Sequence, residues 1–202
     1  EVIDVERKNE LAGNIHGKGM MIAQACLSNI LDLPSQLPFS ASLVFEQSYG
    51  EIDGDSASLA IFCVLASALA DLPLPQNIAI TGSIDQFGLV HSVGGVNDKI
   101  EGFFTICQRR GLTGKQGVII PMTTIQQLSL SDEVKSAVKN GEFFIYPVED
   151  IYQACELLFN RDLLDENKDY TEKTEPLSRL IQRRIEGKAD LERKGFWNFF
   201  RP

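Results

Sequence analysis

The sequence predicts an α/β fold from three observations. Short apolar runs bounded by glycine or proline alternate with segments of helical spacing through residues 77–159, the pattern of strands separated by helices. One segment, 57–70, has only Ser58 and Ser67 as polar members, and a helix that is apolar all round belongs inside a core. The chain has 202 residues, 44% hydrophobic and 23% charged, enough to bury such a helix at its centre.

The elements follow in order. Residues 1–15 alternate weakly at Val2, Ile3 and Val5 and read as an edge strand. From Lys18, the residues Met20, Met21, Ile22, Ala25, Cys26, Ile30 and Leu31 recur at helical spacing. Pro34 and Pro38 end that helix, since proline cannot continue one. Residues 41–49, apolar at the centre and flanked by aromatics, read as a buried strand, and the turn-rich GEIDGDS at 50–56 leads into the central helix. Pro73 and Pro75 close it; residues 77–81 form a strand and 85–93 a hairpin around Gly88. Asp98 with Glu101 has the form of a capping box. It starts a helix near Lys99 that runs through Phe103, Phe104 and Cys107 to Arg110, where Gly111 and Gly114 stop it. A strand at 117–121, a polar helix at 132–139 ended by Gly141, a strand at 143–148 and a helix at 149–159 complete the body. Beyond Asn160 come a charged linker, an amphipathic helix on Leu177, Leu180, Ile181 and Ile185, and the aromatic tip Phe196-Trp197-Asn198-Phe199-Phe200. The chain thus divides into a globular body, 1–160, and an extension, 161–202.

The formal charge of −9 is unevenly spread: residues 161–202 hold 10 of the 19 basic residues but 9 of the 28 acidic ones. The body is therefore acidic, which disfavours nucleic acid or anionic lipid as a partner. The longest uncharged apolar stretch, 56–70, is shorter than the roughly 20 residues a membrane span needs. The chain opens at Glu1 without a Met or a basic segment followed by an apolar run, so no signal peptide is expected and a longer parent chain is. Cys26, Cys63, Cys107 and Cys155 are widely separated in apolar, helix-like runs, as buried free thiols in a reducing compartment would be. With only His16 and His91 as histidines, no metal site is expected. The aromatic tip is read as packing back on the body or on a neighbouring subunit; the competing reading, contact with a membrane surface beside Arg193, Lys194 and Arg201, is not expected to hold.

The segment Glu51-Ile52-Asp53-Gly54-Asp55-Ser56-Ala57-Ser58 stands where a turn meets the central helix. A serine there lies beside unpaired N–H groups that favour developing negative charge. Asp and Ser are equally what an ordinary helix N-cap prefers. A nucleophilic serine needs a base. His91 is the only downstream histidine, and the G-x-S-x-G elbow lacks its second glycine. A lysine serves if its pKa is lowered, because only the neutral amine accepts a proton. Residues 1–114 contain only Lys8, Lys18 and Lys99, and Lys99 begins a helix on the stripe of Phe103 and Ile106. That stripe fits a buried base, or a snorkelling lysine whose stem covers core.

GEIDGDSASLA together with TGSIDQFGLVHSVGGVNDKIEG resembles the proteolytic domain of Lon proteases, whose signatures are x-D-G-x-S-A around a serine and G-G-x-x-x-K ending on a lysine. The spacing from Ser56, 25 residues to Thr81 and 43 to Lys99, is similar to the family's. The likeness extends from about Gly13 to Asn160. Asp55 and Ser58 stand where commoner bacterial members have proline and glycine; the D-G-D-S-A-S form is similar to the B-type branch and to Lon-like homologues of gamma-proteobacteria. The resemblance implies a mixed β-sheet around the central helix, Ser56 as nucleophile, Lys99 as its base, Thr81 orienting the lysine, and Asp53 at a position able to approach Lys99 and raise its pKa. It also implies an ATP-dependent endopeptidase for unfolded polypeptide, cytoplasmic and hexameric, with ATP and Mg held by an AAA+ module elsewhere on the chain. No G-x-x-x-x-G-K-[ST] occurs here, so no cofactor is expected on these residues. The alternative is a catalytically weak or inactive assembly module of the same fold.

Overall fold

The structure, a computed structural model, describes residues 2–32, 39–165 and 169–198, with side chains through residue 187. Strand β1 (Val2–Asp4) pairs in parallel with β2 (Ala41–Leu43), and a single helical turn, α1 (Val5–Lys8), follows β1 directly. Helix α2 (Asn14–Ile30) leads toward β2, and the central helix α3 (Ser58–Ala70) comes next. After β3 (Ile78–Ile80) comes an antiparallel hairpin of β4 (Ser83–Ile84) and β5 (Val90–His91). Helix α4 (Val96–Arg110), β6 (Gln116–Pro121), a 3-10 helix (Met122–Gln127), α5 (Asp132–Lys139), β7 (Phe143–Val148), α6 (Ile151–Phe159) and α7 (Leu177–Asn198) complete the order. The α/β class holds, with parallel and antiparallel pairing both present and the described strands divided among three small sheets.

The principal sheet is parallel with the order β3-β6-β7. Parallel neighbours need a crossover, and α4 and α5 provide the two. Its centre, β6, is buried on both faces. Val118 and Ile120 join α4 and α5 (Ile100, Phe104, Val134) around Phe143, while Ile119 turns to the opposite core. That opposite core surrounds α3, whose Leu59, Phe62, Cys63 and Ala66 are almost wholly inaccessible. Met20, Ala23, Cys26 and Leu27 of α2 pack there, as do Leu163 and, from α7, Leu177 and Ile181. Arg184 of α7 reaches the C-terminal end of α3, donating to Ala68 O at 3.3 Å and meeting Asp71 Oδ1 at 3.1 Å. All four cysteines are buried and free.

Several local expectations differ from the structure. The strand expected across 41–49 stops at Leu43, because Phe45 N donates to the buried carboxylate of Glu6 at 2.9 Å instead of to a strand. The edge strand expected over 1–15 is limited to Val2–Asp4, and α2 starts four residues before Lys18. Helix α4 has no side-chain cap; Glu101 accepts from Ser131 N (2.6 Å) and Ser131 Oγ (3.0 Å), tying α4 to the start of α5. Pro34, Pro38 and the side chains of the aromatic tip lie outside the described residues.

Because Ile181 is 1% exposed within the α3 core, Ile181→Ala is expected to cost about 2–5 kcal/mol. A urea titration should show a lower midpoint with an unchanged slope. A midpoint equal to that of the parent would contradict the docking of α7.

Candidate active site

Ser56 lies two residues before the first helical residue of α3. The N-cap position falls to Ala57 (φ −91°, ψ −7°), which makes no side-chain cap, so the ordinary cap role open to this segment is not what Ser56 performs. Its Oγ instead accepts a hydrogen bond from Lys99 Nζ at 3.1 Å, and the same Nζ donates to Thr81 Oγ1 at 3.3 Å. The start of α3, the end of β3 and the first turn of α4 thus meet at one amine.

Backbone bonds hold the three together. Gly82 N donates to Ser56 O at 2.9 Å and Leu59 N donates to Gly82 O at 3.2 Å. Thr81 N donates to Ile119 O at 3.0 Å, carrying the β3–β6 ladder one residue further. Ser58 is buried, and its Oγ accepts from Ile84 N at 2.9 Å, fixing the hairpin to α3. Position 82 has little room for a side chain: a Cβ there would lie 3.0 Å from Val90 Cγ1 and 3.1 Å from Leu59 Cδ2.

Lys99 corrects one inference from helical spacing. The core side of α4 carries Val96, Ile100, Phe104 and Cys107, whereas Lys99 is exposed and Ile106 is 50% exposed. Of the expected stripe, Phe103 is half-buried against that core and Lys99 and Ile106 lie outside it. The Lys99 Nζ nevertheless donates to the hydroxyl of buried Thr81, and the side chain is partly desolvated. That partial desolvation lowers its pKa from the ordinary lysine value, and the negative charge of Asp55 opposes the shift.

Asp53 lies elsewhere than the expected approach to Lys99. Its Oδ1 accepts from Ile15 N and His16 N, each at 3.0 Å, and backbone N–H bonds from His16 and Gly54 hold its carboxyl below the usual carboxylate range. The carboxylate that acts on Lys99 is Asp55, which the sequence singled out only as a departure from the commoner motif. Its signal was simple adjacency to Ser56. His91 is also engaged elsewhere, with Nε2 2.9 Å from Asp85 Oδ2; the hydroxyl of Ser56 has the lysine as its partner. Among the described residues no group of three or more His, Cys, Asp or Glu is placed to hold a metal ion.

The arrangement suits acyl transfer. A serine oxygen within hydrogen-bond reach of an amine of lowered pKa is an activated nucleophile. The N-terminus of α3, two residues after Ser56, carries partial positive charge close to the serine.

Comparison with known proteins is consistent with this geometry. A protein of Haemophilus influenzae with the provisional name of a Lon protease homolog is 96% identical over 201 residues, covering all of this chain and 33% of its own length. A similarly named protein of Escherichia coli is 62% identical over 160 residues, 79% of this chain and 27% of its own. An archaeal Lon protease of Methanocaldococcus jannaschii is 38% identical over 118 residues, 58% of this chain and 16% of its own. The chain thus spans about a third or less of the length of these relatives. The sequence profile of the Lon protease (S16) C-terminal proteolytic domain matches residues 50–161. That span is more than half of the chain and contains Ser56, Thr81 and Lys99, and the chain belongs to this family of Lon proteolytic domains.

Proposed function

We propose that this chain is the proteolytic portion of an ATP-dependent Lon-type endopeptidase in which Ser56 is the nucleophile and Lys99 the general base, acting on unfolded or misfolded polypeptide. The observation that carries the reading is a single amine within reach of both Ser56 Oγ (3.1 Å) and Thr81 Oγ1 (3.3 Å), inside the span matched by the family. With one N–H of the neutral amine directed at Thr81 Oγ1, the lone pair is free to take the Ser56 proton. The serine oxygen attacks the scissile carbonyl carbon and the carbonyl electrons move onto oxygen, toward the start of α3. Collapse of this intermediate expels the amine, which receives the proton from the Lys99 ammonium. Water, losing its proton to the same lysine, then attacks the acyl-serine; collapse of this second intermediate releases the carboxylic acid, and Ser56 Oγ leaves by taking the proton back from the Lys99 ammonium.

The reading extends to the parent protein because the chain spans only about a third of the Haemophilus relative. It includes an AAA+ module on the same polypeptide holding ATP and Mg, a homo-hexameric ring and a cytoplasmic location. Nucleic acid is not among the partners in this reading. Among the described residues no helix is long and apolar enough to cross a membrane.

The test is hydrolysis of casein and a fluorogenic peptide by the full-length protein with ATP. Ser56→Ala and Lys99→Ala are each expected to lower turnover at least about 100-fold, and the double variant little further, since the pair acts as a unit. Lys99→Arg should be equally inactive, because a guanidinium does not release its proton. An inactive parent would favour the assembly-module reading; a parent that keeps its activity in Ser56→Ala would refute the serine mechanism.

Activity is expected to be lost as pH falls through the Lys99 pKa, because the protonated amine cannot act as base. Asp55→Asn removes the charge that raises that pKa, so the ascending limb of the pH–kcat profile should move to lower pH. A limb that stays in place or moves to higher pH would contradict the assigned role of Asp55.

A further inference from the structure

Gly13 occupies the N-cap position of α2 (φ −73°, ψ 171°) and has no side chain to offer the helix. The first N–H groups of a helix lack acceptors within it, and a capping side chain normally takes the second or third of them. In α2 these belong to Ile15 and His16, and both donate to Asp53 Oδ1, from 38 and 37 residues away. The serine-bearing turn therefore supplies the cap that position 13 leaves open. A Cβ at position 13 would run into the Asp53 carboxylate, so the present seating of that carboxylate uses the space glycine leaves open.

The same turn is fastened to α2 at neighbouring points. Ile52 N donates to Leu11 O and Gly13 N donates to Ile52 O, both at 2.8 Å. At Gly19 a Cβ would lie 3.1 Å from Asp55 Cα, so the backbone on the far side of Asp53 rests on the helix. Between these points Gly54 adopts φ +95°, a conformation glycine accepts without strain. Ser56 is two residues beyond it.

We infer that Asp53 is a positioning residue for Ser56 that acts through the N-terminus of α2 and not through Lys99. The inference rests on the Ser56–Lys99 reading for its effect on turnover. Its structural half, the cap itself, stands apart from that reading. By holding the start of the turn against a packed helix, Asp53 sets where the Ser56 hydroxyl sits relative to an amine anchored on Thr81. Misplacing a reacting group by about 1 Å costs on the order of 100-fold in rate.

The experiment uses the full-length protein and follows peptide hydrolysis, its pH profile and amide hydrogen exchange. Asp53→Ala is expected to lower kcat roughly 10- to 100-fold with KM within about twofold, and to accelerate exchange at Ile15 and His16 while the amide of Phe62 in α3 is unaffected. Asp53→Asn keeps a capping oxygen, and asparagine caps as well as aspartate, so it should recover kcat to within about threefold of the parent and leave the pH profile unmoved. Gly13→Ala, which strikes the same contact from the helix side, should reproduce the alanine phenotype and serves if Asp53→Ala does not fold. An acid shift of the profile in Asp53→Asn would mean that Asp53 acts on Lys99, overturning the inference. Unchanged exchange at Ile15 and His16, or unchanged kcat, in Asp53→Ala would overturn it as well. Activity surviving in Ser56→Ala would instead remove the Ser-Lys reading and the rate effect with it, while the exchange data would still report on the cap.

Discussion

The amide of Gly82 donates to the carbonyl of Ser56 while its own carbonyl accepts from Leu59 N–H, so the start of α3 and the end of β3 form one unit. Everything at the site depends on this reciprocal pair. It sets Ser56 beside Thr81, and Thr81 is in turn held by the ladder to β6 through Ile119 O. The crossover from β3 to β6 runs through α4, whose first turn delivers Lys99 to both hydroxyls. Little of this arrangement is built from long-range charge. It is built from backbone bonds at the edge of a core in which Leu59 and Ile119 are fully buried, where an unpaired amide or carbonyl would be costly.

The electrostatic balance on Lys99 is finer than that on the scaffold. Burial of the amine end lowers its pKa and Asp55 opposes that change. Lys99 is exposed as a residue, yet its partial desolvation removes part of its preference for the charged form. Thr81, 6% exposed, accepts one of the hydrogen bonds of the amine.

How much was legible in the sequence follows from how local each signal is. The central helix and strands β6 and β7 could be read because continuous apolar runs and their glycine or proline boundaries are contained in a few residues. Ser56, Thr81 and Lys99 were singled out through motif spacing and resemblance, not through any property of Lys99 itself; of its apparent apolar stripe, Phe103 packs against the core while Ile106 is half exposed. The failures share a cause. Phe45 leaves the strand for the side chain of Glu6, and Glu101 bonds Ser131 instead of capping its own helix. The first turn of α2 is capped from Asp53. Each is a hydrogen bond between residues 30 or more apart in sequence, where local patterns carry no information.

The seating of α3 has a further consequence for what counts as a unit. The family match covers residues 50–161, yet the apolar wall around α3 is completed by Met20, Ala23, Cys26 and Leu27 on one side and by Leu177 and Ile181 on another. The stretch that identifies the chain by ancestry is therefore shorter than the stretch that keeps its central helix dry. A boundary drawn by similarity alone would leave α3 partly uncovered, with hydrocarbon facing water along the helix that begins two residues after Ser56. For this protein, kinship is recorded in the middle of the chain and the burial of α3 depends on both flanks.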